Sequence, residues 1–236
     1  MFGVQVEIRR ANDRGASEYG WLSSRHTFSF AGYNDPGFRG FQALRVLNDD
    51  WVAPGHGFGT HPHRDMEILS YVVSGTLEHR DSLGTGSIIR PGEIQRMSAG
   101  TGIQHSEFNA SRTNPVHFLQ IWITPERTGL TPSYEQSEIP TEQTEGRFVL
   151  IASPDGASSG VRIHQDVKLY VGRFTGEQCA TFVRPEHRHL WIHVVRGAIE
   201  VNTLPLSAGD AVYSSTEDVV RLSHGREAEV LLFDLV

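Results

Sequence analysis

The feature that most narrows the fold is a repeat. VVSGTLE at residues 72–78 returns as VVRGAIE at 194–200, and FLQIWI at 118–123 returns as VLLFDL at 230–235. Between them, the turn Pro91-Gly92-Glu93 returns as Ala208-Gly209-Asp210. Two halves with the same order of apolar runs and turns are two copies of one supersecondary unit. The runs are short, β-branched and punctuated by glycine, so the unit is made of strands. Strands at short, regular spacing close into a barrel or a sandwich. No amphipathic stretch exceeds two helical turns. The expected fold class is all-β, with two tandem copies of one barrel or sandwich unit in one chain.

The expected boundaries follow composition. Residues 1–130 form the first domain, opening on a strand marked by the alternation of Val4, Val6 and Ile8. Residues 131–147 hold Pro132 and Pro140, several glutamates and few apolar groups, and read as a linker. Residues 148–236 form the second domain.

Charge and cysteine content limit the partners. The formal net charge is −7 with a pI of about 5.9. Such a surface repels a phosphate backbone, so nucleic acid is not expected. The start lacks a basic flank ahead of a long apolar run, and no stretch reaches the ~18 apolar residues of a membrane span. The single cysteine, Cys179, excludes an internal disulfide, and without a placed histidine partner it reads as a buried small hydrophobe. A cytoplasmic location is expected.

Chemistry is concentrated between Gly55 and Glu67, GHGFGTHPHRDME. Glycines 55, 57 and 59 do not make a phosphate-binding fingerprint, because no strand-turn-helix pattern surrounds them; they read as a flexible loop. In a strand, side chains two apart share a face. From His61 to Val73 the odd positions are His, His, Asp, Glu, Leu, Tyr and Val, a wall that turns from polar to apolar. His105 and Glu107, again two apart, share a face on a later strand. His61, His63, His105 and Glu107 offer three imidazole nitrogens and one carboxylate. That set suits a divalent metal and leaves two open octahedral positions for water, O2 or a substrate oxygen. A closed zinc site usually contains thiolates, and none are available. Fe(II) is expected, with Mn, Ni, Cu, Co or Zn as substitutes. Glu67 competes with Glu107 as ligand; otherwise it, like Asp65, would hydrogen-bond the outer nitrogen of a ligand histidine.

The other histidines lack such spacing. His26 reads as packed or hydrogen-bonded and His56 as a loop residue. His79, His117, His164, His193 and His224 are scattered, and His187 and His189 read as solvated. When Gly197 is aligned on Gly75, the positions matching His61, His63 and Glu67 hold Val183, Pro185 and His189. The second half therefore lacks the ligand set.

The arrangement Gly55-x5-His61-x-His63-x3-Glu67, followed by Gly102-x2-His105-x3-Asn109, resembles the two cupin motifs. Two departures stand out: seven residues rather than six separate Glu67 from Gly75, and Gly100 stands where proline is usual. With THPHRDMEILSYV, EHRDSLG, MSAGTGIQHSE and WLSSRHTFSF, these look like the pirin family, and within it the bacterial pirin-like proteins with quercetinase activity. The resemblance implies two cupin barrels face to face, with metal only in the N-terminal one. It also implies that His61, His63, His105 and Glu107 are the ligands, which decides against Glu67.

The expected function is a metal-dependent dioxygenase that cleaves a flavonol with O2 and releases CO. In it Glu107 takes the substrate's proton, while Leu69, Tyr71 and aromatics from Phe28 to Phe41 pack the polyphenol. The alternative is a redox-sensing metal protein that binds a protein partner without turnover, as eukaryotic pirins imply. A third reading keeps the enzyme but gives it another physiological substrate.

Overall fold

Period-two alternation becomes antiparallel strand almost throughout the computed structural model, which describes residues 6–156 and 160–236. Val4 of the expected opening strand lies outside these residues. Among the described residues the only helical turns are two 3-10 segments, Ala11–Asp13 and Thr141–Thr144. No helix among them is long and apolar enough to cross a membrane.

The N-terminal half packs two sheets against each other. One has seven strands, in the order Ser133–Glu138, Glu93–Ser98, Glu67–Ser74, Val116–Ile123, Leu44–Val52, Leu22–His26 and Gly15–Glu18. The other has four: Gly57–His63, Ile103–Asn109, Leu77–Asp81 and Gly86–Ile89. Leu77 and Ile89 of the small sheet meet Val52, Val72, Val116 and Phe118 of the large one.

The large sheet is buried on its other face too. Leu47, Leu69, Tyr71, Leu119 and Ile121 form one apolar core with Ile151, Val171, Trp191, Leu231 and Phe233 of the C-terminal half. Double burial explains why FLQIWI is a nearly continuous apolar run rather than a strict alternation. Each such side chain contributes roughly 1.5–3 kcal/mol by leaving water.

Eight strands of the C-terminal half and Glu7–Arg9 join into one sheet around His189–Val201 and Val219–Leu235. The first of these changes register three times against the second and so bends around the barrel. The interior is filled by Ile192, Val194, Leu206, Val212, Leu222, Val230 and Leu232.

Three features differ from the sequence reading. Strand Glu7–Arg9 pairs with Ala211–Ser214 and extends the C-terminal sheet, because Val6 and Ile8 pack on that barrel's core. Residues 131–147 are not bare linker: Ser133–Glu138 pairs along Glu93–Ser98 as the edge of the large sheet. An edge strand can stay polar and half-exposed, which hides it from an apolar pattern. Cys179 is exposed, on the turn between Val167–Gly176 and Ala180–Val183.

Candidate metal centre

The wall expected from His61 to Val73 is broken in the middle. Gly57–His63 lies in the small sheet and Glu67–Ser74 in the large one. The chain crosses through Asp65, which has a left-handed φ of 50°. The Asp65 N–H donates to the Gly100 carbonyl at 2.9 Å, and its Oδ1 accepts from the Gly129 N–H at 2.7 Å.

This crossing resets which side chains face inward. His61 and His63 line a cavity in the N-terminal barrel. Glu67 points to the other half, where its Oε2 accepts from the backbone N–H of His164 and lies 3.1 Å from that residue's Nδ1. Asp65 and Glu67 therefore do not support a ligand histidine. Leu69 and Tyr71 do not reach the cavity either: both sit in the core between the halves, and the Tyr71 hydroxyl donates to Glu229. The partner turn also explains Gly100. Its φ is +45°, which proline's ring forbids, and an added Cβ would lie 1.9 Å from the Leu130 carbonyl oxygen.

Register within the small sheet assembles the centre. His61 lies opposite His105, and a bulge follows before Glu107 pairs with Phe58. The residues read as a flexible loop are partly inside this strand. Gly57 crosses so close to the neighbouring strand that a Cβ would meet the Glu107 carbonyl at 2.3 Å. The bulge brings the Gly59 carbonyl to His61, whose Nδ1–H donates to it at 2.7 Å. The lone pair of His61 is then on Nε2, 3.1 Å from Nε2 of His105.

The donor nitrogens of His61, His63 and His105 all lie within 4.8 Å of one another. Burial, then the neighbouring imidazoles, push His63 down to about 4 and His105 down to about 3. Both rings are therefore neutral at pH 7, with lone pairs free for a cation. Glu107 is buried beside them. Its Oε1 accepts from the Ser70 hydroxyl at 2.8 Å and its Oε2 from the Gln120 amide at 2.6 Å. It falls within 4.8 Å of donor nitrogens of His79 and His105, but the four expected ligands do not all lie within that distance of one another. Three imidazoles and a nearby carboxylate, without thiolate, fit a divalent metal ion. Both groups of this kind among the described residues are in the N-terminal half.

The cavity measures about 190 Å³. Phe30, Phe58, Ile68 and Trp122 form its apolar walls, and Tyr19 stands exposed at its rim. Phe28, Phe38 and Phe41, expected there, pack instead with the core between the halves. A polar wall comes from Ser17, Ser24, His26, Asn48, Asp50 and Gln120. His26 holds that wall together: its Nδ1–H donates to Asn48 Oδ1 at 2.9 Å and its Nε2 accepts from the Ser17 hydroxyl at 2.8 Å. Burial pushes its pKa down, so the ring is neutral. Oδ1 of Asp50, Oε1 of Gln120 and Nε1 of Trp122 have no hydrogen-bond partner.

His56 lies outside the cavity and points a ring nitrogen at the Pro54 carbonyl. His79 carries no ligand spacing, yet it sits directly behind His105. The sequence signal for it is its place in EHRDSLG, two residues before Asp81.

A double β-barrel with one histidine-rich centre in its N-terminal half is a bicupin of the metal-binding kind. The family model described as Pirin matches residues 7–123, and the model described as Quercetinase C-terminal cupin domain matches residues 150–235. Over 230 residues, the chain is 46% identical to a quercetin 2,3-dioxygenase of Escherichia coli K12, covering 98% of both. The crystal structure of YhhW from Escherichia coli superposes with a TM-score of 0.94 at 46% identity, covering 98% of each chain. Bacterial pirin YhhW in complex with nickel(II) gives 0.93 at 45% identity, covering 98% of this chain and 99% of that one. The chain belongs to the pirin family.

Proposed function

We propose that this protein is a metal-dependent dioxygenase of the quercetin 2,3-dioxygenase type, opening a flavonol with O2 and releasing CO. One observation carries the reading: neutral imidazoles and a buried glutamate line an aromatic-walled cavity in a chain 46% identical to a quercetin 2,3-dioxygenase. His61, His63, His105 and Glu107 are the residues that would hold the ion. Fe(II) is the first choice, and Mn, Ni, Cu, Co or Zn suit the same donors. When bound, the metal supplies positive charge that acidifies a substrate hydroxyl, and electronic states that allow reaction with O2.

The remaining steps belong to the chain. Phe30, Phe58 and Trp122 flank the flat rings of a flavonol and exclude water from around it. Glu107 accepts the proton of the substrate's enolic hydroxyl at a carboxylate oxygen. Ser70 and Gln120 each donate to that carboxylate and keep it aimed. The unpartnered indole N–H of Trp122 is a donor for a substrate oxygen. In this reading residues 1–130 carry the chemistry. Residues 148–236, with an apolar interior, act by burying the outer face of the large sheet.

The test is purified protein loaded in turn with Fe(II), Mn(II) and Ni(II), then given quercetin and O2. Flavonol absorbance should fall as CO appears. No turnover with any of these metals refutes the proposal. His61→Ala should abolish both metal retention and turnover; a variant as fast as the parent would assign the activity to adventitious metal.

A further inference from the structure

Behind His105 lies a row of buried groups that the steps above do not use. Nδ1 of His105 faces Nδ1 of His79 at 3.5 Å, the long end of a hydrogen bond. Nε2 of His79 lies 3.0 Å from Oδ2 of Asp81. The side chains of His79 and Asp81 are fully buried. The register of the small sheet accounts for the row: His105 pairs with Asp81 and Glu107 with His79 on adjacent strands. Tyr134, on the edge strand Ser133–Glu138, lays its ring beside that of His79, with centroids 4.8 Å apart.

Hydrogen-bond chemistry orders this row in one direction. Backbone N–H groups of Thr85 and Leu83 anchor the Asp81 carboxylate from one side. Those two amides donate to Oδ1 at 3.1 and 2.9 Å, so the other oxygen is left to accept from His79. An ionised carboxylate only accepts, so His79 carries its proton on Nε2. The contact between the two Nδ1 atoms needs one donor and one acceptor; with the His79 proton on Nε2, its Nδ1 accepts and His105 donates from its own Nδ1. That leaves the His105 lone pair on Nε2, the nitrogen facing His61. The arm behind His61 ends on a neutral carbonyl, whereas this one ends on a charge.

We propose that His79 and Asp81 are positioning residues: a hydrogen-bonded arm that locks His105 with its lone pair on Nε2 and so sets how tightly the centre holds its metal. It assigns a role to the EHRDSLG stretch, residues 78–84, which no ligand spacing explains. A carboxylate reached through an imidazole raises the basicity of the ligand in front of it, and loss of such a partner typically weakens metal binding about 10–100-fold. The inference rests on His105 being a ligand.

The test has two readouts, neither of them turnover. The first is the 15N–1H histidine spectrum of the metal-free protein at pH 7. His105 should show a proton on Nδ1 and none on Nε2, and His79→Phe and Asp81→Asn should both turn that single form into a mixture. Phe keeps the ring beside Tyr134, so the packing survives. The second is nickel(II) affinity by competition titration. Both variants should lose about 10–100-fold, and Asp81→Glu should recover part of the loss.

Asp81 also anchors its own turn, so a control is needed. Gly84→Ala strains the same turn, at φ +88° in open space, without touching the arm. It should leave nickel affinity unchanged. The proposal is overturned by unaltered affinity in both arm variants, by a proton on His105 Nε2 in the parent, or by a Gly84→Ala loss as large as that of Asp81→Asn. If His105→Ala itself binds nickel normally, the reading of the centre fails instead.

Discussion

Asp50 gives the sharpest physical test of the cavity. It points inward from Leu44–Val52, in register with Ser24 on one side and Phe118 on the other. It is almost completely buried, and its Oδ1 has no partner. Burial dominates its titration and, with the nearby negative charges of Asp49 and Glu107, outweighs the hydrogen bond from Ser24. The carboxyl is pushed up to about 7 from 3.8. The move from 3.8 to about 7 corresponds to about 4 kcal/mol. The sign follows from proton counting. Between pH 4 and 7 the folded state holds the proton and the unfolded state has lost it, so stability falls as pH rises and levels off above 7. Asn is the neutral isostere and removes this dependence. In metal-free protein, Asp50→Asn should match the parent at pH 4. At pH 8 it should be more stable by up to about 4 kcal/mol. Urea unfolding followed by tryptophan fluorescence at steps from pH 4 to 8 measures the difference, and titrating groups that do not interact with Asp50 cancel in it. Adding metal should shrink the gap, because a nearby cation favours the ionised form. A difference that stays flat from pH 4 to 8 would refute the reasoning.

Two further outcomes test the geometry around the centre. Glu67→Ala should cost about 1–3 kcal/mol by stranding the His164 donors, yet leave nickel(II) affinity unchanged; a large loss of affinity in a competition titration would restore Glu67 to the ligand set. Gly100→Ala should cost about 2–4 kcal/mol in urea unfolding, since a left-handed φ and an approach of 1.9 Å to a carbonyl oxygen must both be relieved. An alanine variant as stable as the parent would mean the turn at Asp65 and Gly100 is not rigid.

Much of the architecture was legible in the chain because its cause is local. Period-two alternation and the doubled VVSGTLE pattern need only neighbouring residues to be read, and they led to two copies of one β barrel or sandwich unit. The His-x-His and His-x-Glu spacings likewise identify side chains that share a face, because parity holds for as long as one strand continues. Parity cannot show where the strand stops. One left-handed residue, Asp65, turned Glu67, Leu69 and Tyr71 away from the cavity and towards the other half. No apolar pattern marks that event.

Pairing between strands is the other thing that only the folded molecule decides. His61 meets His105 because two strands 44 residues apart align in one register. The same sheet sets His79 and Asp81 behind His105, although neither carries a ligand spacing. Ser17, His26, Asn48 and Asp50 become one cavity wall because three strands lie side by side. The edge strand Ser133–Glu138 is hidden for the same reason, and the opening strand at Val6 and Ile8 can be read while its distant partner, Ala211–Ser214, cannot. Sequence thus determined which side chains can act together along a strand, whereas the sheets determined which of them actually meet.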